Sequence, residues 1–276
     1  MNTNLESYFL VVTLAISALG FILFIASSFF KLKLHNLIQQ TFFSTCFFSL
    51  FAILLIRGIN LQRFPCSNLY ESLLIVALAA SAITVFFSSK YKMHFLAWPS
   101  SLFITSLLAY SISLPESQRD AIPLIPALNS YWRVIHVPAL LTSYGFLTIA
   151  GIISGFYLFE SYQTESLDSK KKKLDFYEEC IYRCVSFGFP LLTFGIVTGA
   201  LWANNTWGNL WQWDPKENLA LVTWFIYLAY LHLKLSNKAS TKTLAWVNLI
   251  GIIAIYITYI GINQFDLGGL HTYGRV

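Results

Sequence analysis

Eight separate apolar runs, each about as long as a helix must be to cross a bilayer, constrain this chain more than any other feature. The chain is 56% hydrophobic and 11% charged, a composition unlike that of a soluble globular protein. We therefore predict an all-α, polytopic integral membrane protein. The predicted spans are residues 8–30, 37–56, 69–88, 95–113, 134–159, 181–203, 217–235 and 243–262.

The basic residues divide unevenly between the two sides that these spans create. Eight spans place both termini on one side and the loops after the first, third, fifth and seventh spans on the other. Those loops and the adjoining span ends hold twelve of the 18 Lys and Arg residues. Because loops rich in Lys and Arg stay cytoplasmic, both termini are predicted to face the external, lumenal or periplasmic side.

The charge and cysteine patterns exclude other classes of protein. The net charge of +5 lies largely in short loops between apolar runs, so it indicates orientation in a membrane and no nucleic-acid partner. The lysine run at 170–173 is predicted to be a solvated loop that ends the fifth span. No Cys forms a C-x-x-C pair, which excludes a thioredoxin-like centre, and Cys180 and Cys184 are predicted to be packing residues.

The stretch from residue 207 to 224, WGNLWQWDPKENLALVTW, places a Pro and two acids directly before an apolar run. Asp214, Pro215 and Glu217 stand at the N-cap, N1 and N3 positions of a helix that would begin there. An acid at the N-cap with a Glu three residues later has the spacing of a capping box. Both acids are therefore predicted to start the helix.

The same stretch brings Trp207, Trp211 and Trp213 close together. One interpretation is an interfacial belt, because Trp is enriched where membrane helices meet water. A belt does not require a Gly, an Asn and three Trp in one short loop. We therefore favour a binding surface for a large, flat aromatic ligand, and haem is the obvious candidate.

Three segments carry a family resemblance. WGNLWQWDPKE resembles the tryptophan-rich WWD signature of the haem-handling proteins of cytochrome c biogenesis, and its DPKE ending resembles most the CcsA (ResC, System II) branch. FPCSNLYES and GGLHTYG are similar to two further segments of that branch. We predict a single membrane domain, residues 1–276, with four external segments. These are the FPCSNLYES segment at 64–72, a Pro-rich loop at 114–133, the Trp-rich loop at 203–217 and the C-terminal tail at 263–276.

Two histidines are predicted to lie on the side of the Trp-rich loop. His136 follows Trp132 by one helical turn at the external start of the fifth span. His271 lies in the tail among glycines, which free the backbone to bring a side chain against a flat ligand. Either could be an ordinary helix-end or tail His. The resemblance implies that both are axial ligands of an external haem, whose iron is commonly held by His.

The other histidines have different predicted roles. His232 lies near the cytoplasmic end of the seventh span, where a helix C-terminus by itself favours a His. The resemblance implies that His232 is one ligand of a second, inner haem whose opposite ligand comes from a partner. His35 and His94 lie in cytoplasmic loops beside lysines and are predicted to be solvated.

Cations beside the external site could pair with haem propionates, as guanidinium and ammonium groups pair with carboxylates. Arg133 and Lys216 lie there, although Lys216 could also be an interfacial lysine, and Arg57 and Arg63 compete for the role. The predicted haem-binding residues are His136, His271, His232, Trp207, Trp211, Trp213, Asp214, Trp132, Arg133 and Lys216.

The resemblance implies delivery of haem b and its attachment to the C-x-x-C-H segment of apocytochrome c. It further implies the Ccs1 (CcsB, ResB) membrane protein as the partner in a holocytochrome c synthase, and a thioredoxin-like protein that keeps the acceptor thiols reduced. We identify no general acid or base in this chain. Its Lys-, Phe- and Ile-rich sequence favours a thylakoid over a bacterial membrane, since it indicates an AT-rich genome.

Three other functions stay open on the sequence. A CcmC- or CcmF-type haem protein shares the Trp-rich signature but not the DPKE and FPCSNLYES segments. A proton-coupled secondary transporter would use His232 and acids as proton relays, yet the acids lie at span ends, such as Glu71 and Glu160, and no inverted repeat is visible. A quinone-linked oxidase subunit would require paired His within spans, and only His232 comes near.

Overall fold

The computed structural model describes residues 3–30, 36–120, 128–163 and 167–262, and these ranges are helical with no strand. This confirms the all-α fold class. The α-helices are α1 (Thr3–Phe29), α2 (Asn36–Leu61), α3 (Leu69–Tyr91), α4 (Ala97–Ser113), α5 (Glu116–Arg119), α6 (Tyr131–Tyr162), α7 (Leu167–Trp207), α8 (Pro215–Leu235) and α9 (Thr241–Tyr256). A short 3-10 helix, His94–Leu96, precedes α4, and a π-helical segment, Ile257–Gly261, follows α9.

Within the described ranges, eight helical segments are long and apolar enough to cross a membrane, which confirms the predicted integral membrane protein. The largest difference from the predicted spans is at the sixth, which belongs to a helix that begins at Leu167. The lysine run at 170–173 is therefore part of α7, and its prediction as a loop was wrong. Lys favours helix, and no Pro or Gly interrupts the sequence there.

The chain divides into two compact units, Met1–Asn129 and Ser130–Val276. That both units belong to one membrane domain stays a prediction. The division falls in the connection between α4 and α6. In its described part this connection holds only the one-turn helix α5, which begins after Pro115. Pro lacks a backbone N–H and interrupts helix, so the connection cannot pack as a continuous span.

In the first unit, a buried ionic cluster joins the ends of α1, α2 and α3. Glu71 of α3 is fully buried, and its carboxylate accepts hydrogen bonds from Arg57 Nε at 2.9 Å and Arg63 Nη1 at 3.3 Å. Arg57 also donates to Glu6 Oε1 at 3.0 Å, and its guanidinium lies 4.9 Å from the ring centroid of Tyr70. We call these five residues the Glu71 cluster. Its acids are neutralised by arginines, so the cluster ties the helix ends together.

The FPCSNLYES segment, residues 64–72, contributes to this cluster and starts α3. The Asn68 side chain caps α3 by accepting a hydrogen bond from the Glu71 N–H at 2.8 Å. The Ser67 N–H donates to Glu71 Oε2 at 2.7 Å, and the Ser67 hydroxyl accepts from Arg63 at 2.5 Å. The segment therefore fixes the turn between α2 and α3.

In the second unit, α6 and α7 form a long antiparallel pair with which α8 and α9 pack. Glycines bring the pair close, since a Cβ built on Gly188 would lie 2.8 Å from the Leu147 side chain. Small residues at helix crossings allow such approach. Cys180 and Cys184 are buried in α7 and form no disulfide, which confirms their predicted role in packing.

Ion pairs hold one end of the second unit together. Glu178 near the start of α7 pairs with Lys234 of α8 and accepts a hydrogen bond from the Thr241 hydroxyl of α9 at 2.5 Å. Glu160 of α6 pairs with Lys173 of α7 at 2.5 Å. These contacts join the end of α6 to the start of α7, and the end of α8 to the start of α9.

Candidate functional site

His136 lies at the other end of the second unit, where the start of α6 packs against the end of α7. Its Nδ1 lies 2.6 Å from the Gly195 carbonyl oxygen. A Cβ built on Gly199 would lie 2.5 Å from Cε1 of the half-buried imidazole, so the ring occupies a notch in α7. One turn earlier, Trp132 is half-buried, and the Ser130 hydroxyl caps α6 by accepting a hydrogen bond from its N–H at 3.3 Å.

An aromatic row leads from His136 to the Trp-rich stretch. The ring centroid of Trp202, which is buried in α7, lies 5.8 Å from that of His136. The ring of Trp207 lies a further 5.8 Å from Trp202, and both pairs are tilted. The row therefore connects a predicted ligand with the first residue of the predicted aromatic surface.

The connection between α7 and α8 is a turn of residues 208–214, shorter than the predicted loop at 203–217. Helix α7 continues to Trp207, and α8 begins at Pro215. No Pro or Gly stands between residues 200 and 207 to end α7 earlier, which explains the difference. Residues 203–207 therefore belong to the helix that also holds the notch for His136.

Two residues with positive φ shape this turn. Gly208 has a φ of +78° and Trp213 a φ of +58°, a conformation that is uncommon for a bulky side chain. The Trp213 indole is 71% exposed and lies edge-on to Trp211, with ring centroids 6.3 Å apart. The Asn218 side chain donates to the Trp213 carbonyl at 2.8 Å and so holds the backbone there.

The predicted capping box at the start of α8 is confirmed. Asp214 is buried, and its Oδ1 accepts a hydrogen bond from the Lys216 N–H at 2.9 Å. Glu217 Oε2 accepts from the N–H of Asp214 at 3.2 Å and from the N–H of Gln212 at 2.8 Å. Both acids therefore bond to backbone groups of the Trp-rich turn and of the helix behind it.

Replacing Asp214 by Ala is expected to destabilise the second unit by about 0.5–2 kcal/mol, because α8 loses its N-cap. Asp214→Asn is the matched control, since Asn caps a helix about as well as Asp does. Thermal unfolding of the purified protein in detergent measures both. An equal loss in the Asn variant would contradict the capping role.

The cations predicted to pair with propionates lie in different surroundings. Arg133, in the first turn of α6, is only 4% exposed, and Lys216, in the first turn of α8, is half-buried. Arg57 and Arg63 belong to the Glu71 cluster, where acids already neutralise them. Their ion pairs disfavour Arg57 and Arg63 as partners of a further carboxylate.

His232 is exposed near the end of α8, at the far end of the second unit from His136. Lys234, two residues later, pairs with Glu178 of α7, whereas His136 contacts Gly195 of the same helix. With a rise of 1.5 Å per residue, Glu178 and Gly195 are about 26 Å apart along α7. The two histidines are thus separated by close to the thickness of a bilayer core, about 30 Å.

The remaining histidines provide one correction. His271 and His35 lie outside the described residues. His94 begins the short 3-10 helix and is half-buried with its Nδ1 enclosed, so the imidazole is only partly solvated, less than predicted. Its neighbours Met93 and Leu96 are fully buried, and they anchor this segment in the core of the first unit.

Sequence reasoning missed three residues around His136, namely Gly195, Gly199 and Trp202. They stand at i, i+4 and i+7 of α7 and therefore share one helix face. The G-x-x-x-G spacing was the available signal, because it marks positions where helices approach closely. Nothing in the spacing shows that a histidine would be the group that approaches.

Comparisons with known proteins identify the family to which the chain belongs. The model of the family described as cytochrome C assembly protein matches residues 66–269, which include the Trp-rich turn and His136. A protein from Guillardia theta named cytochrome c biogenesis protein CcsA is 36% identical over 241 residues, covering 79% of this chain and 79% of the relative. A protein of the same name from Porphyra purpurea is 35% identical, covering 76% of this chain and 79% of the relative. Another from Synechococcus sp. strain RCC307 is also 35% identical, covering 81% of this chain and 80% of the relative.

These relatives come from algae and a cyanobacterium, which fits a thylakoid or bacterial membrane. The family match covers more than half of the chain, and the identities extend over most of its length. The chain therefore belongs to the cytochrome c assembly protein family, in its CcsA branch, and takes part in the maturation of c-type cytochromes.

Proposed function

We propose that the chain binds haem where His136 meets the Trp-rich turn and presents it for attachment to apocytochrome c. The observation that carries the proposal is the environment of His136. One nitrogen of its imidazole lies at hydrogen-bond distance from a backbone carbonyl, and the ring lies beside a row of indoles. A neutral imidazole is a common axial ligand of haem iron. The notch at Gly199 gives this ring a defined position, as a ligand requires.

The surrounding side chains suit the rest of a haem. Haem is a flat, apolar ring with two anionic propionates, so it is held well by aromatic faces and nearby cations. Trp213 presents an exposed indole, and Arg133 and Lys216 occupy the first turns of the two helices beside the turn. We propose that His271 supplies the second axial imidazole.

This chain is proposed to position haem as a substrate. The thiols of the acceptor's C-x-x-C-H segment add to the haem vinyl groups, a reaction that depends on close approach. Asp214 and Glu217 are occupied with backbone hydrogen bonds, so we assign them to the shape of the turn. One axial imidazole must leave when the acceptor's own His coordinates, which makes release a part of the function.

A second, inner haem position is proposed at His232. The separation of about 26 Å along α7 suits one site at each face of a bilayer. This proposal includes the predicted orientation, with both termini, His136 and the Trp-rich turn external. The Ccs1 (CcsB, ResB) protein would supply the opposite ligand at the inner site, and a thioredoxin-like protein would keep the acceptor thiols reduced.

The absorption spectrum of the purified chain, together with its co-purified partner, tests the proposal. We expect the spectrum of low-spin haem with two imidazole ligands. His232→Ala should lower the ratio of haem to protein and leave the remaining spectrum unchanged. Protein without haem in every preparation would contradict the proposal. Normal haem binding with no co-purified partner would contradict the proposed Ccs1 (CcsB, ResB) partner.

A further inference from the structure

We propose that the Gly195 carbonyl and the notch at Gly199 are a positioning device for His136, fixing its tautomer and ring so that Nε2 is the nitrogen that meets haem iron. The inference rests on the proposed function and concerns the same site. It assigns a role to backbone groups of α7 and requires that one residue, 199, lacks a side chain.

The tautomer follows from the contact between His136 and Gly195. Their Nδ1 and carbonyl oxygen are 2.6 Å apart, and a carbonyl oxygen can only accept a hydrogen bond. The proton of the neutral imidazole is therefore on Nδ1, and the lone pair is on Nε2. A ligating histidine is oriented in the same way when its other ring nitrogen donates to a backbone carbonyl.

The same carbonyl has a second donor. The Thr198 hydroxyl lies 3.0 Å from the Gly195 oxygen and 2.9 Å from the Phe194 oxygen. Thr198 is buried, so its single hydroxyl proton is shared between these two carbonyl oxygens and is not donated to water. The acceptor of the His136 proton is therefore held in place by its own helix.

The ring position depends on Gly199. A Cβ built there would lie 2.5 Å from Cε1, 2.7 Å from Nδ1 and 3.4 Å from Nε2 of His136. Contacts under about 3 Å between carbon atoms are not tolerated, since the optimal separation is about 3.5–4.0 Å. Any side chain at 199 must push the imidazole away and lengthen its bond to the Gly195 oxygen.

Gly199→Ala tests this role with a readout other than activity. We expect the variant to retain haem about 10–100-fold more weakly than wild type, the range for losing a partner that orients a metal ligand. Its absorption bands should also shift, because the imidazole donates less strongly without the Nδ1 hydrogen bond. Gly155→Ala is the control, since a Cβ there has no atom within 4 Å. An unchanged spectrum and affinity in Gly199→Ala would overturn the inference.

Chemical rescue provides a second test if Gly199→Ala does not fold. His136→Gly leaves space in which added imidazole can coordinate iron and donate its N–H to the Gly195 oxygen. 1-Methylimidazole coordinates similarly but has no N–H, so we expect it to restore the spectrum only at roughly ten-fold higher concentration. Equal rescue by both would overturn the inference. Wild-type protein that lacks haem would instead contradict the proposed function.

Discussion

The His136→Ala variant is expected to lose nearly all assembly of c-type cytochromes. Its imidazole is the proposed ligand that joins α6, the notch in α7 and the aromatic row through Trp202. Loss of a ligand itself should exceed the roughly 10–100-fold effect of losing an orienting partner. Covalently bound haem in c-type cytochromes, detected after denaturing electrophoresis of membranes, measures the effect, and immunoblotting shows whether the variant accumulates.

His94→Ala is the matched control for this variant. His94 is also partly buried in a helical segment, but it belongs to the first unit and not to the unit that holds the Trp-rich turn. We expect its membranes to contain c-type cytochromes at wild-type level. Normal cytochrome assembly in His136→Ala would show that this imidazole is not the ligand.

The Glu71→Ala variant is expected to lower the free energy of unfolding of the first unit by about 3–5 kcal/mol. Removing this carboxylate leaves the buried Arg57 and the half-buried Arg63 with less compensation, since Glu71 accepts hydrogen bonds from both. It also removes the acceptor for the Ser67 N–H, which orders the turn before α3. The midpoint of thermal unfolding in detergent and the amount of protein in membranes measure the loss.

Glu116→Ala is the control for the Glu71 prediction, because it removes an acid from an exposed position in α5. Such a change should alter stability by no more than about 0.5 kcal/mol. Glu71→Gln separates charge from shape, since the amide keeps one acceptor oxygen but not the charge. Equal stability of Glu71→Ala and wild type would mean that the cluster does not hold the helix ends.

The eight spans were predictable because each must by itself satisfy its backbone hydrogen bonds within lipid, which requires a long apolar helix. The capping box was equally local, since Asp214 and Glu217 act within a single turn. The length of α7 was not predictable in this way. Its first turns carry the lysine run, so hydropathy marks only the apolar part of a helix that continues outside it.

The contacts of side chains between distant helices were the part that sequence reasoning could not supply. The position of His136 near Trp207 was expected, but the route through Trp202 depends on how α6 and α7 pack. Likewise, Arg57 looked available for a propionate until Glu6 and Glu71 were found beside it. Such pairings join residues far apart in sequence, so the periodicity of a single segment does not predict them.

The positive φ of Trp213 has a consequence for how a ligand meets the turn. Holding a bulky residue in that conformation costs about 1–3 kcal/mol, which only a well-determined surrounding structure sustains. Here Glu217 and Asn218, both in the first turn of α8, hold the backbone on either side of the indole. The turn is thus preorganised by the helix behind it, so a ligand loses little affinity to ordering the protein. A substitution of Glu217 or Asn218 would weaken binding although neither side chain is proposed to touch the ligand.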